Sequence, residues 1–230
     1  MTAALIAGAS GLVGSQLLPR LLDAPEFDQV IALGRRPLDT SKLGDSQRAK
    51  LIEKQVDLNS SESLESALGA AASGAEIFCA LGTTIKKAGS QEAFRKVDLD
   101  APLLLAKVAQ SLSARQYTIC TAVGADAKSS VFYNRVKGEL EAALKELRFP
   151  RGVKIMHPSM LLGHREENRP IERIFGAPMK WTAPLLRGPL WKFRPIPAET
   201  VARAMFNAAL KEPEGDRTYE GELLFKLGAS

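Results

Sequence analysis

The chain is poor in cysteine and in long apolar runs, and each shortage argues against a class of protein. Only two of its 230 residues are cysteines, and they show no paired spacing. This indicates a reducing compartment, or indifference to one, and we predict no metal site. No stretch approaches the length that crosses a bilayer, so no membrane span is expected.

Aromatic residues and blocks of like charge are also scarce. Aromatics make up 6% of the chain, and the net charge of +5 comes from 31 basic and 26 acidic residues. The two signs are interspersed, and no run of five or more Lys or Arg occurs. We therefore predict no nucleic-acid partner, because a solvated surface and binding of an anionic ligand explain the small excess better.

The length and the hydrophobic content of the chain indicate one globular domain. A chain of 230 residues that is 45% hydrophobic can bury one sizeable core, so we predict a single domain over residues 1–230. The apolar run at residues 2–7 follows no Lys or Arg and is interrupted by glycine, unlike a secretory signal. With no such signal and no span, a cytoplasmic protein is expected.

The apolar run leads into a glycine loop and then a leucine-rich helical stripe that ends near Leu22. Gly8 can turn the chain sharply, Gly11 has no Cβ to hold a pyrophosphate away, and Gly14 lets the helix pack closely. The helix N-terminus would face the phosphates. A glycine loop can also serve only as a turn. Its place between a strand and a helix favours dinucleotide binding, by these glycines and by Ser10, Leu12 and Val13.

The second predicted strand, residues 30–33, indicates which dinucleotide binds. NAD-binding proteins usually carry an Asp or Glu about 20 residues after the last glycine, where it binds the ribose hydroxyls. Here the strand is followed by Gly34, Arg35 and Arg36. Two guanidinium groups suit a 2′-phosphate. We therefore predict NADP(H) as the cofactor, with a plain basic loop as the alternative.

Strand and helix patterns alternate along the rest of the chain. Further strands are predicted at 51–58, 75–82, 117–123 and 153–156, and helices at 61–70, 101–111 and 198–210. This order predicts an α/β fold of the Rossmann type, a doubly wound parallel sheet that binds ligands at the carboxyl ends of its strands. The expected contacts there are Asp57 and Leu58 near the adenine, and Leu81, Gly82, Thr83 and Thr84 after the fourth strand.

Proline and tryptophan concentrate near the C-terminus. Eight of the 13 prolines lie between Pro150 and Pro197. We predict a small substrate-covering lobe over residues 158–197, with apolar walls from Phe175, Trp181, Trp191 and Phe193. A surface excursion held by its aromatics, an oligomer interface and a membrane-surface patch are the alternatives.

Tyr133 and Lys137 are the candidates for chemistry. Residues four apart project from the same face of a helix. A nearby ammonium stabilises phenolate and lowers a tyrosine pKa that is normally about 10. Tyr133 can then give a proton to a carbonyl oxygen while a nicotinamide delivers hydride, and Lys137 can also hold the nicotinamide ribose.

Together, Gly8-x-x-Gly11-x-x-Gly14, Gly34-Arg35-Arg36 and Tyr133-x-x-x-Lys137 resemble an atypical short-chain dehydrogenase/reductase. Local segments resemble the Tat-interactive protein oxidoreductase-like family and its bacterial relatives over nearly the whole chain, namely residues 78–84, 87–89, 124–126, 136–139 and 168–170. The resemblance implies a Rossmann-type fold that binds NADP(H). It implies little about the substrate.

Two positions depart from the pattern of that family. A serine usually ends the fifth strand and polarises the carbonyl, whereas here Thr121 is the nearest hydroxyl. Threonine can substitute as a donor, and Ser129 or Ser130 can approach from the following loop. His157 and Pro158 stand where the family often has Arg-Pro-Gly, in a loop that the resemblance places beside the nicotinamide.

Three classes of function remain open. The first is an NADP(H)-dependent reductase of a carbonyl compound that uses Tyr133, Lys137 and Thr121. The second is an NADP(H)-sensing regulatory protein with little turnover. The third is a semialdehyde-dehydrogenase-like enzyme with Cys79 or Cys120 as nucleophile and His157 as base. A homodimer is possible through the helices that flank the fourth and fifth strands.

Overall fold

A computed structural model of the protein describes residues 2–162 and 188–229. The strands are β1 (Ala3–Ala7), β2 (Gln29–Gly34), β3 (Leu51–Gln55), β4 (Glu76–Cys79), β5 (Gln116–Cys120), β6 (Val153–His157), β7 (Leu161–Leu162), β8 (Ile196–Pro197) and β9 (Arg217–Glu220). The helices are α1 (Gly14–Asp23), α2 (Asp45–Lys50), α3 (Ser61–Leu68), α4 (Ile85–Ala88), α5 (Gln91–Arg95), α6 (Ala101–Ser111), α7 (Phe132–Lys145), α8 (Ala198–Leu210) and α9 (Gly221–Ala229). A π-helical turn, Lys96–Asp100, joins α5 to α6.

Seven strands form one sheet in the order β3-β2-β1-β4-β5-β6-β9, and every neighbouring pair is parallel. Because side chains alternate along a strand, Leu5 of β1 packs on one face and Ile6 on the other. The first face is covered by α3, α6 and α7, and the second by α1, α8 and α9. This confirms the predicted Rossmann-type α/β fold, whose chain reverses direction across the sheet between β1 and β4.

The alternating pattern predicted the elements better than their ends. The helices predicted at 101–111 and 198–210 have those bounds. The strand predicted at 51–58 ends at Gln55, and the one predicted at 117–123 ends at Cys120. The residues beyond these ends continue the apolar pattern but turn away at the carboxyl edge. The prediction missed β9, because Arg217–Glu220 is an edge strand whose buried side chain is that of Tyr219.

Part of the predicted lobe lies outside the described residues, including Phe175, Trp181 and the segment 168–170. In its described part, β7 pairs in parallel with β8. Trp191 packs edge-on against Phe225 of α9. The single domain with a covering lobe therefore stays a prediction. Over the described ranges, no helix has the length and apolarity that a bilayer crossing requires.

Candidate functional site

The glycine loop lies between the carboxyl ends of β1 and β4, where the sheet order reverses. Gly8 has a φ of +87°, and a Cβ there would lie 2.6 Å from the carbonyl carbon of Ala80. A Cβ on Gly14 would lie 2.0 Å from the Gly8 carbonyl oxygen. Both positions therefore require glycine for the fold. Gly11 is less crowded, because its Cβ would lie 3.1 Å from that same oxygen and has no nearer neighbour.

A cavity of about 230 Å³ opens beside this loop. Several residues predicted to bind the cofactor or to carry chemistry line it together: Leu12, Val13, Leu81, Gly82, Thr83, Thr84, Thr121, Tyr133 and Lys137. The lining also includes the candidate nucleophile Cys120, residues 159–161 of the predicted lobe, and Ala80, which was not predicted. The loop after β1, the loop after β4, the end of β5 and the start of α7 thus meet at one site.

Lys137 is held at this site by a buried carboxylate. Its ammonium lies 2.7 Å from Oδ1 of Asp98, and the two side chains are 4% and 1% exposed. The second oxygen of Asp98 accepts a hydrogen bond of 2.8 Å from the backbone N–H of Thr83. A Cβ on Gly138 would lie 2.1 Å from the backbone nitrogen of Ala127, so α7 packs closely on the loop before it. The position of Lys137 is therefore fixed from several directions.

The charge of Lys137 is maintained although the side chain is buried. Burial alone lowers the pKa of a lysine, because a low-dielectric surrounding disfavours the charged form. The Asp98 carboxylate, with smaller contributions from Tyr133 and Cys120, outweighs that effect and raises the pKa of Lys137 above its ordinary value. The cavity therefore has a permanent positive charge in its wall.

Tyr133 lies on α7, one turn before Lys137, and is partly buried. Its ring packs against Phe94 of α5 at 5.6 Å between centroids. The ring is thereby supported from the side of α5, and its electrostatic interaction with Lys137 contributes to the raised pKa of that lysine. The arrangement provides a phenol beside an ammonium in the wall of one cavity, which is a suitable pair for proton donation.

Thr121 also borders the cavity, but its hydroxyl is engaged. Its Oγ1 donates to Oε1 of Glu141 at 2.6 Å. The same Glu141 oxygen lies 2.8 Å from Nε2 of His157. Thr121 was predicted to donate to a substrate carbonyl, whereas in the structure its hydrogen is directed to a carboxylate. Ser129 and Ser130 are outside the described lining, and the hydroxyl of Ser129 accepts from the N–H of Val131.

Other predicted cofactor residues lie away from this cavity. Arg35 and Arg36 are exposed after β2, and within the described residues they make no hydrogen bond or ion pair. Asp57 accepts a hydrogen bond from the N–H of Asn59, and Leu58 is buried under α3. His157 is directed towards Glu141 rather than into the cavity, and Pro158 is buried. Ser10 is exposed in the glycine loop.

Two buried acidic residues of the site, Asp98 and Glu141, were not predicted, although the sequence carries a signal for each. Asp98 lies on the helical face that also presents Phe94, Ala101 and Leu105, all of them buried. Glu141 likewise lies on the buried face of α7. An acidic residue on an otherwise apolar helix face needs a partner, and that pattern alone would have marked both. The π-helical turn that contains Asp98 is a further sign, since such turns are frequent at functional sites.

The two cysteines are poor candidates for a nucleophile. Both are buried. Burial raises the pKa of the Cys79 thiol, and it raises that of Cys120 to about 12 although Lys137 acts in the opposite direction. Because the thiolate is the reactive form, these surroundings oppose covalent catalysis. Cys120 does border the cavity, whereas the described partners of His157 are carboxylates.

The chain is similar to known proteins over most of its length. Residues 8–149 match the model of a family described as NAD(P)H-binding. The chain belongs to this family. It is 32% identical to protein HTATIP2 of Rattus norvegicus over 97% of this chain and 88% of that protein. It is 33% identical to the mitochondrial protein fmp52 of Emericella nidulans over 97% of this chain and 94% of that protein. These relatives confirm the predicted family.

Solved structures share the fold at low identity. MoeE5 in complex with UDP-glucose and NAD has a TM-score of 0.67 and is 16% identical, covering 95% of this chain and 76% of its own. The UDP-glucose 4-epimerase of Thermotoga maritima with UDP-glucose has a TM-score of 0.68 and is 14% identical, covering 99% of this chain and 80% of its own. Both agree with the Rossmann-type fold.

The expected cytoplasmic location is contradicted by these comparisons. Relatives from Emericella nidulans, Lodderomyces elongisporus and Coccidioides immitis are all named as mitochondrial proteins. The expectation depended on the lack of a signal peptide and of a membrane span. Neither feature distinguishes the cytoplasm from other compartments, so the inference was wrong.

Proposed function

We propose that the protein is an NADP(H)-dependent oxidoreductase that reduces a carbonyl compound in the cavity beside the glycine loop. One observation carries the proposal: Tyr133 and Lys137 border the same cavity as the residues after β1 and β4. Gly8 and Gly14 fit a dinucleotide, since their lack of side chains keeps that loop tight between the strand ends. When bound, the nicotinamide supplies a hydride to the carbonyl carbon.

In this proposal the protein supplies the proton and the charge. Tyr133 donates its phenolic proton to the carbonyl oxygen, and the ammonium of Lys137 stabilises the phenolate that remains. Asp98 keeps Lys137 charged and oriented, which its 2.7 Å contact supports. Lys137 would also hold the nicotinamide ribose. Because the hydrogen of Thr121 is directed to Glu141, its hydroxyl would polarise the carbonyl oxygen only after turning away from that carboxylate.

The remaining cofactor contacts follow from position in the fold. Arg35 and Arg36 would bind a 2′-phosphate, supported by their exposure at the carboxyl end of β2. The other proposed contacts are Gly8, Ser10, Gly11, Leu12, Val13, Gly14, Asp57, Leu58, Leu81, Gly82, Thr83, Thr84, His157 and Pro158. Residues 158–197 would cover the substrate within the single domain, and two copies would pair through the helices beside β4 and β5.

A second candidate is an NADP(H)-sensing protein with little turnover. It is favoured by the 2.6 Å bond between Thr121 and Glu141, because a hydroxyl that donates to a carboxylate cannot donate to a substrate carbonyl at the same time. Under this alternative the cavity binds the cofactor, and a partner recognises the cofactor-bound form of the protein.

The test measures NADPH consumption with a panel of aldehydes, ketones and quinones. Tyr133→Phe is expected to reduce the rate by about a hundredfold to ten-thousandfold, with little change in NADPH affinity, because it removes a general acid. Tyr219→Phe is the matched control, since that phenol contacts Glu212 rather than the cavity. Full activity of Tyr133→Phe would overturn the mechanism. Tight NADPH binding without turnover on any substrate would favour the sensing protein.

A further inference from the structure

Four side chains link the cavity to the protein surface along the carboxyl edge of the sheet. Thr121 follows β5, His157 ends β6 and Glu220 ends β9, and these three strands are neighbours. His157 and Glu220 are register partners. Glu141 of α7 lies between Thr121 and His157 and contacts both. The line is therefore built from four elements of the fold.

The contacts between these side chains are short in the buried part of the line. Thr121 Oγ1 lies 2.6 Å from Glu141 Oε1, and His157 Nε2 lies 2.8 Å from that same oxygen. On its other side, Nδ1 of His157 lies 3.5 Å from Oε2 of Glu220. One carboxylate oxygen thus accepts from a hydroxyl and lies within hydrogen-bond distance of an imidazole nitrogen. A proton received on that oxygen from His157 can pass to Thr121 once the hydroxyl hydrogen of Thr121 has turned away from it.

Exposure rises steadily along the same line. Thr121 is 6% exposed and borders the cavity, while the His157 side chain is 11% exposed and that of Glu220 is 50% exposed. A buried carboxylate and imidazole contribute little net stability compared with apolar residues of similar size. Their placement between a cavity and solvent therefore points to a role in moving protons.

We propose that Thr121, Glu141, His157 and Glu220 form a proton-transfer chain that restores the Tyr133 proton after each turnover. The inference rests on the proposed reductase function, in which Tyr133 is left as phenolate. A proton from solvent enters at Glu220 and passes to Nδ1 of His157, whose Nε2 proton moves to Glu141. Glu141 then protonates Thr121, and the original hydroxyl proton of Thr121 reaches the phenolate through a water molecule in the cavity. One proton enters and one is delivered, so charge and atoms balance; His157 is left with its hydrogen on Nδ1, and its ring must turn to present that hydrogen to Glu141 before the next turnover.

The kinetic test separates the first turnover from later ones. Rapid mixing of the NADPH-loaded protein with substrate measures the first hydride transfer, and steady-state rates include the return of the proton. Glu141→Gln and Glu220→Gln keep the shape of these side chains but cannot carry a proton, and they are expected to leave the first turnover nearly unchanged and to slow steady-state turnover by about tenfold to a hundredfold. Thr121→Ser retains the hydroxyl and should keep the wild-type rate. Glu139→Gln, also on α7 but paired with Arg95, is the control.

Two further measurements exclude a merely structural role. Added imidazole should restore turnover of His157→Ala, and side-chain nitrogen NMR should show hydrogen on Nε2 of His157 in the wild type. A wild-type steady-state rate in Glu141→Gln, or an Nε2 without hydrogen, would overturn the chain and leave the reductase function intact. Loss of the first turnover in Glu141→Gln as well would show that Glu141 acts only through the fold, and would also overturn the chain. Absence of turnover in the wild type would contradict both proposals.

Discussion

The ammonium of Lys137 lies 2.7 Å from the carboxylate of Asp98, and both side chains are almost completely buried. Asp98 belongs to the π-helical turn before α6, and its second oxygen accepts the N–H of Thr83 after β4. The pair therefore joins α7 to the loop that borders the cavity. Its role is to place a charged group accurately, since buried ion pairs add little net stability.

Removing one partner of this pair should be strongly destabilising. Asp98→Ala leaves the Lys137 charge buried without compensation, and we expect the free energy of unfolding to fall by about 3–5 kcal/mol. The half-exposed pair of Arg95 and Glu139 provides the control, because Glu139→Gln should change it by about 1 kcal/mol or less. Urea unfolding at neutral pH measures both. Equal effects of the two substitutions would contradict the assigned role of Asp98.

The same pair predicts how stability depends on alkaline pH. The pKa of Lys137 is raised in the folded protein. The charged Lys137 therefore contributes fully to the free energy of unfolding at any pH below the ordinary lysine pKa. That contribution is lost as the pH rises through the folded pKa. Asp98→Asn removes the carboxylate that raises the pKa of Lys137. Burial then lowers the pKa of Lys137 in the variant. The stability difference between wild type and variant should therefore begin to shrink as the pH rises through the lowered pKa of Lys137 in the variant, and it should keep shrinking up to the raised pKa in the wild type. Urea unfolding between neutral and strongly alkaline pH would measure this, and a constant difference would contradict it.

Three glycines of the loop should respond differently to a methyl group. Gly14→Ala and Gly8→Ala should destabilise the fold by roughly 1–3 kcal/mol or more, because their Cβ atoms would meet backbone at 2.0 and 2.6 Å. Gly11→Ala should destabilise the fold less, because its Cβ would lie 3.1 Å from the Gly8 carbonyl oxygen. If the pyrophosphate lies against Gly11, that variant loses NADPH affinity. Gly44→Ala is the control, since nothing lies within 4 Å. Thermal unfolding and calorimetric NADPH binding separate the two effects, and unchanged affinity in Gly11→Ala would remove the phosphate assignment.

The fold was predictable from local patterns, whereas the interactions that complete the site were not. The glycine loop and the Tyr133–Lys137 spacing are signals within one or two elements, and the structure brings them to one cavity. Asp98 lies 39 residues before Lys137, and no local pattern links two such positions. The bond between Thr121 and Glu141 likewise depends on how α7 crosses the end of β5. A hydroxyl in the sequence does not reveal which acceptor the fold will give it.

Cofactor preference should depend on the two arginines after β2. Each charge-assisted contact to a phosphate contributes about 1.5–3 kcal/mol, or about ten- to a hundredfold in affinity. Arg35→Ala and Arg36→Ala should therefore weaken NADPH binding and leave NADH binding nearly unchanged. Lys54→Ala, an exposed cation of β3, is the matched control. Calorimetry with both cofactors measures the ratio. Equal affinities of the wild type for NADPH and NADH would show that the arginines have another role.

The last prediction concerns Cys120, which borders the cavity and would be the nucleophile of a semialdehyde-dehydrogenase-like enzyme. Burial raises the pKa of its thiol to about 12, so less than about one part in a thousand is thiolate near neutral pH. We expect Cys79 and Cys120 to react with a thiol reagent only after unfolding. Cys120→Ala should retain carbonyl reduction within a few-fold, because only a small buried side chain is lost. Rapid modification of the native protein, together with loss of turnover in Cys120→Ala and not in Cys79→Ala, would instead establish a thiol mechanism and displace Tyr133 from the role assigned to it.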